Sequence, residues 1–116
     1  MKPSNDFHVY DAEMDVWAEV ADFQGPARSF GYGVAQGDTA YFGFGTGESG
    51  YLNDFWRYDM GNGKFYRLKD CPGVGRRHPA MVEVPGKIYV GLGDGVVNGK
   101  WQNLADFYEY DISSDE

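Results

Sequence analysis

The octapeptide NDFWRYDM, residues 53–60, decides the reading of this chain, because it comes three times. NDFHVYDA stands at residues 5–12 and ADFYEYDI at residues 105–112. Sliding the sequence on itself by 48 positions carries the match well past the octapeptide. Asn5, Asp6, Phe7, Tyr10 and Asp11 fall on Asn53, Asp54, Phe55, Tyr58 and Asp59. Asp22, Gly25, Arg28 and Val34 fall on Asp70, Gly73, Arg76 and Val82. Tyr41 falls on Tyr89, and Gly43, Gly45 and Gly47 fall on Gly91, Gly93 and Gly95. These thirteen identities run without a gap from residue 5 to residue 47. Self-similarity at a fixed period of this size marks a repeat architecture. A third copy starts at Asp106, Phe107, Tyr110 and Asp111 with an offset of 52, so the loop between Gly95 and Asp106 is four residues longer than its counterpart.

One unit reads as four short strands. FGYGVAQ precedes a turn at Gly37-Asp38, and TAYFGFG leads into a Gly-rich loop. NDFWRYD follows, then a turn at MGNG and the strand KFYRL. Asn62-Gly63 is expected to form a tight hairpin, since that pair accepts the positive φ such turns need. Residues 76–111 repeat the same pieces without the last strand, and the chain begins with only the third and fourth. Along NDFWRYD, alternation puts Phe55 and Arg57 on one face and Trp56 and Tyr58 on the other. Both faces carry aromatics, so these sheets are expected to be covered on both sides. Gly31, Gly33, Gly43 and Gly45 lie inside strand patterns, where glycine marks close approach of another backbone.

Composition agrees. Gly is 17 of 116 residues and aromatics are 17%, a mixture suited to short strands and tight turns. The net charge of −8 disfavours nucleic acid, whose phosphates need clustered Lys and Arg. No apolar run approaches the roughly 18 residues of a membrane-spanning helix. The start, MKPSNDFHVY, lacks the apolar core of an export signal. The single cysteine, Cys71, allows no internal disulfide and reads as a small packed hydrophobe.

At this point the sequence resembles the kelch repeat family. The residues that carry the resemblance are YFGFGTG and YVGLGDG after an aromatic strand, then LNDFWRYD and LADFYEYD. An aromatic on the fourth strand, Trp17 or Phe65, and an Arg before the next first strand complete it. The Y-x-G-x-G-x-G form is similar to bacterial kelch proteins with galactose-oxidase-like propellers. The resemblance implies an all-β fold of four-stranded antiparallel β-propeller blades. Residues 1–116 would be a single kelch-repeat region of about two and a quarter repeats. It would hold a partial blade over 5–21, a full blade over 28–68 and a partial blade over 76–112. Propellers have about four to eight blades. The chain is therefore expected to be a slice of a longer propeller or one member of a ring completed by oligomerisation. In a ring, DVWAEV at 15–20 could supply a neighbour's missing fourth strand.

Partners of kelch propellers commonly dock on the loops between second and third strands and between blades. Those loops are residues 46–52, 94–104, 24–29 and 72–78, and they hold Arg28, Glu48, Tyr51, Arg76, Arg77, His78, Asn98, Lys100 and Trp101. Arg in such loops suits carboxylate recognition, because its planar fork donates two parallel hydrogen bonds. Arg28 and Arg76 share a repeat position and could equally tie blade to blade. Asp6, Asp54, Asp106, Asp11 and Asp59 read as turn-capping groups. DGVVNG at 94–99 lacks the acidic spacing and closing Glu of a calcium loop. Galactose oxidase binds copper through Tyr, His and Cys, and nothing here aligns with that set, so neither metal nor cofactor is expected.

Two functions follow. The first is a non-catalytic binding or scaffold module that recognises a protein or glycan through these loops. The alternative is a fragment or subunit of a sialic acid mutarotase-like kelch enzyme (an N-acetylneuraminate epimerase). That activity would need a Glu and an Arg facing each other, with Glu48 and Arg76 as candidates. The expected partners are a protein or carbohydrate ligand, together with further copies of the chain or the remainder of a propeller. The resemblance leans towards an extracytoplasmic setting.

Overall fold

The structure is a computed structural model. It describes residues 8–11, 14–19, 25, 27–48 and 50–116, with side chains of strand residues 8–11 and 16–19 outside that description. Every regular element in it is a β-strand. Helix is absent from the described residues, so none is long and apolar enough to cross a membrane.

β1 (His8–Asp11) pairs antiparallel with β2 (Val16–Glu19), setting Tyr10 opposite Trp17. The full unit contains β3 (Tyr32–Gln36), β4 (Thr39–Gly43), β5 (Thr46–Gly47), β6 (Gly50–Tyr51), β7 (Phe55–Asp59) and β8 (Lys64–Arg67). β3, β4, β7 and β8 form one four-stranded antiparallel sheet in that order. β5 and β6 form a short hairpin of their own between the second and third strands. The last unit contains β9 (Ala80–Val84), β10 (Lys87–Gly91), β11 (Asp94–Val97), β12 (Lys100–Asn103) and β13 (Phe107–Asp111). Its main sheet has three strands in the order β13-β10-β9, with β11–β12 as the separate hairpin. The four extra residues in the sequence lengthen this hairpin relative to β5–β6.

Register follows the repeat. Tyr10 faces Trp17 as Tyr58 faces Phe65, each pair 48 positions from the other. Glycine is required where the third strand begins. A Cβ on Gly43 would run into the Asp54 carbonyl oxygen, and one on Gly91 into that of Asp106. Only a side chain of hydrogen lets β7 and β13 leave the second strand at that point.

The two larger sheets stack face to face, as the aromatic-on-both-sides pattern requires. Tyr41, Phe44 and Phe55 of the first bury against Ile88 and Val90 of the second, with Val34, Met81, Tyr110 and Ile112 around them. Phe55 meets Tyr110 edge to face at 4.9 Å between centroids, a favoured aromatic geometry. β3 and β9 lie side by side, and Gln36 bridges them. Its Nε2 donates to the Val84 carbonyl at 2.6 Å, and its Oε1 accepts from Gly86 N–H at 2.9 Å.

The turns correct one expectation. Asn62-Gly63 is not a two-residue hairpin. Asp59 faces Lys64, so four residues make the turn, and of these only Gly63 has positive φ, at 71°. Asp59 Oδ1 accepts from Gly61 and Asn62 N–H, which stabilises the wider turn. A two-residue Asn-Gly hairpin does form at Asn98-Gly99, at φ 52° and 80°, between β11 and β12.

Candidate functional site

Two kinds of loop interaction separate when the copies are compared. The first kind repeats. Arg28 forks onto Asp54 at 2.8 and 2.6 Å, and its Nη1 also donates to the Phe44 carbonyl at 3.1 Å. Arg76 forks onto Asp106 at 2.7 and 2.9 Å, and its Nη1 donates to the Leu92 carbonyl at 3.3 Å. Each carboxylate takes one further donor two residues on, Trp56 Nε1 for Asp54 and Tyr108 OH for Asp106. Phe44 and Leu92 hold positive φ, 65° and 60°, at equivalent positions. That is strained for a bulky residue, and a surrounding network over-determines it. Hydrogen bonding to Arg76 outweighs desolvation and holds the Asp106 carboxyl down at about 2. Burial raises Asp54, but Arg28 and Trp56 more than offset it and keep it below the ordinary carboxylate value.

Asp54 and Asp106 are therefore ion-pair anchors, not turn caps, whereas Asp59 and Asp111 do cap turns. The arginine side chains act within a blade. Besides the Gln36 bridge, the Arg76 backbone ties blade to blade: its carbonyl accepts from Gly45 N–H at 2.7 Å and its N–H donates to the Leu52 carbonyl at 3.0 Å.

The second kind occurs once. Ser29, Phe30 and Thr46 of the first copy correspond to Arg77, His78 and Asp94 of the second. In both copies the backbones bridge alike, Ser29 with Thr46 and Arg77 with Asp94. Among the described residues, the second copy places ionisable side chains there that bond one another, where the first has Ser29 and Thr46. Asp94, 6% exposed, is the hub. Its Oδ2 accepts from Arg77 Nε at 3.0 Å, Arg77 Nη2 at 2.9 Å and Trp101 Nε1 at 2.7 Å. Its Oδ1 lies 3.1 Å from His78 Nδ1. Burial raises the carboxyl, yet the bonds from Trp101, His78 and Arg77 together leave it below its ordinary value. Asp94 is thus an anion at neutral pH, matched by one guanidinium.

Local structure explains how these residues meet. Trp101 lies opposite Val96 on β12, so its ring shares a hairpin face with Asp94, two residues before Val96. The Arg77 guanidinium lies over Phe30 at 5.4 Å and Tyr51 at 5.3 Å from their centroids. His78 packs edge-on to Phe30 at 5.3 Å and, like Phe30, has positive φ. Trp101 is 58% exposed.

Of the residues expected in the loops, Tyr51, Arg77, His78 and Trp101 come together. Arg28 and Arg76 belong to the repeated framework. Asn98 turns the β11–β12 hairpin, and Lys100 points to the face opposite Trp101. Glu48 is exposed at the β5–β6 turn and does not face Arg76, whose guanidinium is enclosed by Asp106, Leu92 and Val74. Sequence reasoning missed Asp94 and Phe30 as site residues. The signal was available in the positions where the copies differ.

Elsewhere, a cleft of about 270 Å³ between the sheets is lined by Phe44, Phe55, Cys71, Val90, Tyr108 and Tyr110, among others. Burial pushes the Cys71 thiol up to about 11, so it stays protonated and is no nucleophile at neutral pH. Among the described residues no three His, Cys, Asp or Glu side chains gather as a metal site.

No family model and no curated protein sequence matches the chain. The solved structure of YjhT superposes with a TM-score of 0.70 at 24% identity. The match covers 84% of this chain and 27% of YjhT, so the chain spans about a quarter of that protein's length. YjhT is a kelch-type β-propeller, and at this identity the likeness speaks for fold alone. With the repeated four-stranded unit and the stacked sheets, it establishes the chain as all-β and built of propeller blades.

Proposed function

We propose that this chain is a non-catalytic binding or scaffold module that recognises a protein or glycan through its inter-blade and Gly-rich loops. The observation that supports this most is the Asp94 cluster. An arginine–aspartate framework repeated in both copies holds these loops, and among the described residues the Asp94 cluster is a polar constellation that stands where the copies diverge. Loops on a rigid scaffold are where binding residues concentrate. Further copies of the chain, or the remainder of a propeller, would cover the outer face of the last sheet.

One observation favours the second reading, a fragment or subunit of a sialic acid mutarotase-like enzyme. His78 leans one ring nitrogen on Asp94, the carboxylate that also takes Arg77, and its side chain is largely exposed. An oriented imidazole of this kind can move a proton. Mutarotation needs such transfer at a ring oxygen and an anomeric hydroxyl.

One experiment separates the readings. Glycan and peptide arrays are probed with the full chain and with Arg77→Ala and His78→Ala variants, and anomer exchange of sialic acid is followed by NMR. Binding that both variants lose, with no acceleration of exchange, is the expected result. Exchange accelerated by the chain and abolished in His78→Ala would overturn it.

A further inference from the structure

The arginines proposed to receive a carboxylate already hold one. Arg28 has Asp54, Arg76 has Asp106 and Arg77 has Asp94. At the loop cluster Arg77 and Asp94 cancel, and the chain as a whole carries −8. An anionic ligand would meet no net positive charge there. What the cluster does offer is different. Asp94 grips the indole N–H of Trp101 at 2.7 Å and leaves the ring 58% exposed, a flat apolar surface fixed in orientation. Val96, directly opposite on the hairpin and 40% exposed, extends that surface. Beside it, Arg77 Nη1 and His78 Nε2 have no protein partner among the described residues. An exposed aromatic face with hydrogen-bond donors fixed at its rim can stack the C–H face of a sugar ring while the donors meet its hydroxyls.

We propose that this site takes an uncharged pyranose. The face of the sugar carrying the C–H bonds lies on Trp101, and its hydroxyls meet Arg77 Nη1 and His78 Nε2. The inference rests on the reading of the loop cluster as a binding site and names its ligand class. It also sets neutral sugars against acidic ones. A free arginine fork would select a carboxylate, and an arginine already neutralised by a buried aspartate serves as a hydroxyl donor.

The test is saturation-transfer NMR on the full chain with methyl glycosides of glucose, galactose, mannose and glucuronic acid. At least one neutral glycoside is expected to bind, and more tightly than the glucuronide. Trp101→Ala, at an exposed position, should keep the fold and weaken that glycoside at least about tenfold. Asp94→Asn should free the Arg77 charge and move the preference towards the glucuronide by at least about threefold. Tighter binding of the glucuronide to the unmutated chain would overturn the inference. So would neutral binding that survives Trp101→Ala unchanged. Silence of all four sugars also overturns it, and leaves the broader reading to stand or fall on the peptide arm of the array. If Asp94→Asn does not fold, the sugar panel and Trp101→Ala decide alone.

Discussion

Arg76 has a side chain with no exposed surface, yet it carries a full charge. Such a charge is tolerable only with a partner and enough acceptors, and the Asp106 carboxylate with the Leu92 and Val74 carbonyls supplies them. A lysine there keeps the charge and loses the fork. Arg76→Lys is therefore expected to cost about 2–4 kcal/mol, close to the loss on breaking a buried pair. The same pair sets an acid limit. Asp106 stands at about 2 in the fold against an ordinary 3.8. A depressed carboxyl stabilises the fold above its unfolded value, and that contribution disappears as pH falls through the folded one. Because the Asp106 side chain is 33% exposed, solvent screens the pair, and about 1–2 kcal/mol should be lost between pH ~4 and ~2. Asp54 and Asp94 shift the same way and steepen the decline. Thermal melts across this range, with and without Arg76→Lys, measure both effects. A variant that melts with the parent at neutral pH would show that the fork holds nothing.

At the scale of the strand and its turns, glycine does two jobs that one experiment separates. Gly43 sits opposite Phe55 with the Asp54 carbonyl in the space a Cβ needs. Gly37 sits in an open turn at φ 61° with nothing within 4 Å. Alanine at Gly37 meets only backbone strain, about 1 kcal/mol. Alanine at Gly43 must push a strand aside and should cost upwards of about 2 kcal/mol. Urea unfolding of the two variants ranks them, and equal midpoints would mean that the close approach is not rigid. These elements also show what a sequence discloses. Strand order and sheet stacking were legible, because a 48-residue echo and two-sided aromatics leave few other architectures. The Asn62-Gly63 turn was misread because Asp59 turns inward to cap Gly61 and Asn62, a side-chain effect that dipeptide preference does not contain. The fate of Asp54 and Asp106 was hidden for a related reason. Their partners stand 26 and 30 positions away, and only folding brings an arginine to them. The candidate site was legible in part, with four of its six side chains anticipated. Its hub, Asp94, was lost among features of a failed calcium motif, although it occupies the place of an ordinary Thr46 in the other copy.

At the scale of the molecule, one face is left open. Val34, Tyr41 and Phe55 are the residues the first large sheet presents to the second. Their counterparts on the second sheet, Val82, Tyr89 and Phe107, lie on its far side, away from the first. Phe55 is 2% exposed and Phe107 is 52% exposed, though each heads the same strand of its unit. The radius of gyration, 14.5 Å, exceeds the roughly 13.4 Å of a compact domain of this length, as a slab of stacked sheets should. A face that within this chain grips a sister sheet is chemically fitted to grip another. The chain is therefore expected to run above its 13.0 kDa monomer mass in sedimentation at rising concentration. Phe107→Glu should return it to monomer and leave thermal unfolding of the dilute protein nearly unchanged, since the side chain is already half in water. Phe55→Ala, in contrast, should cost about 3–5 kcal/mol, as large aromatic truncations in a core do. A parent that stays monomeric at every concentration, or a Phe107→Glu variant that keeps the parent's mass, would place the contact elsewhere and free this face of any role in assembly.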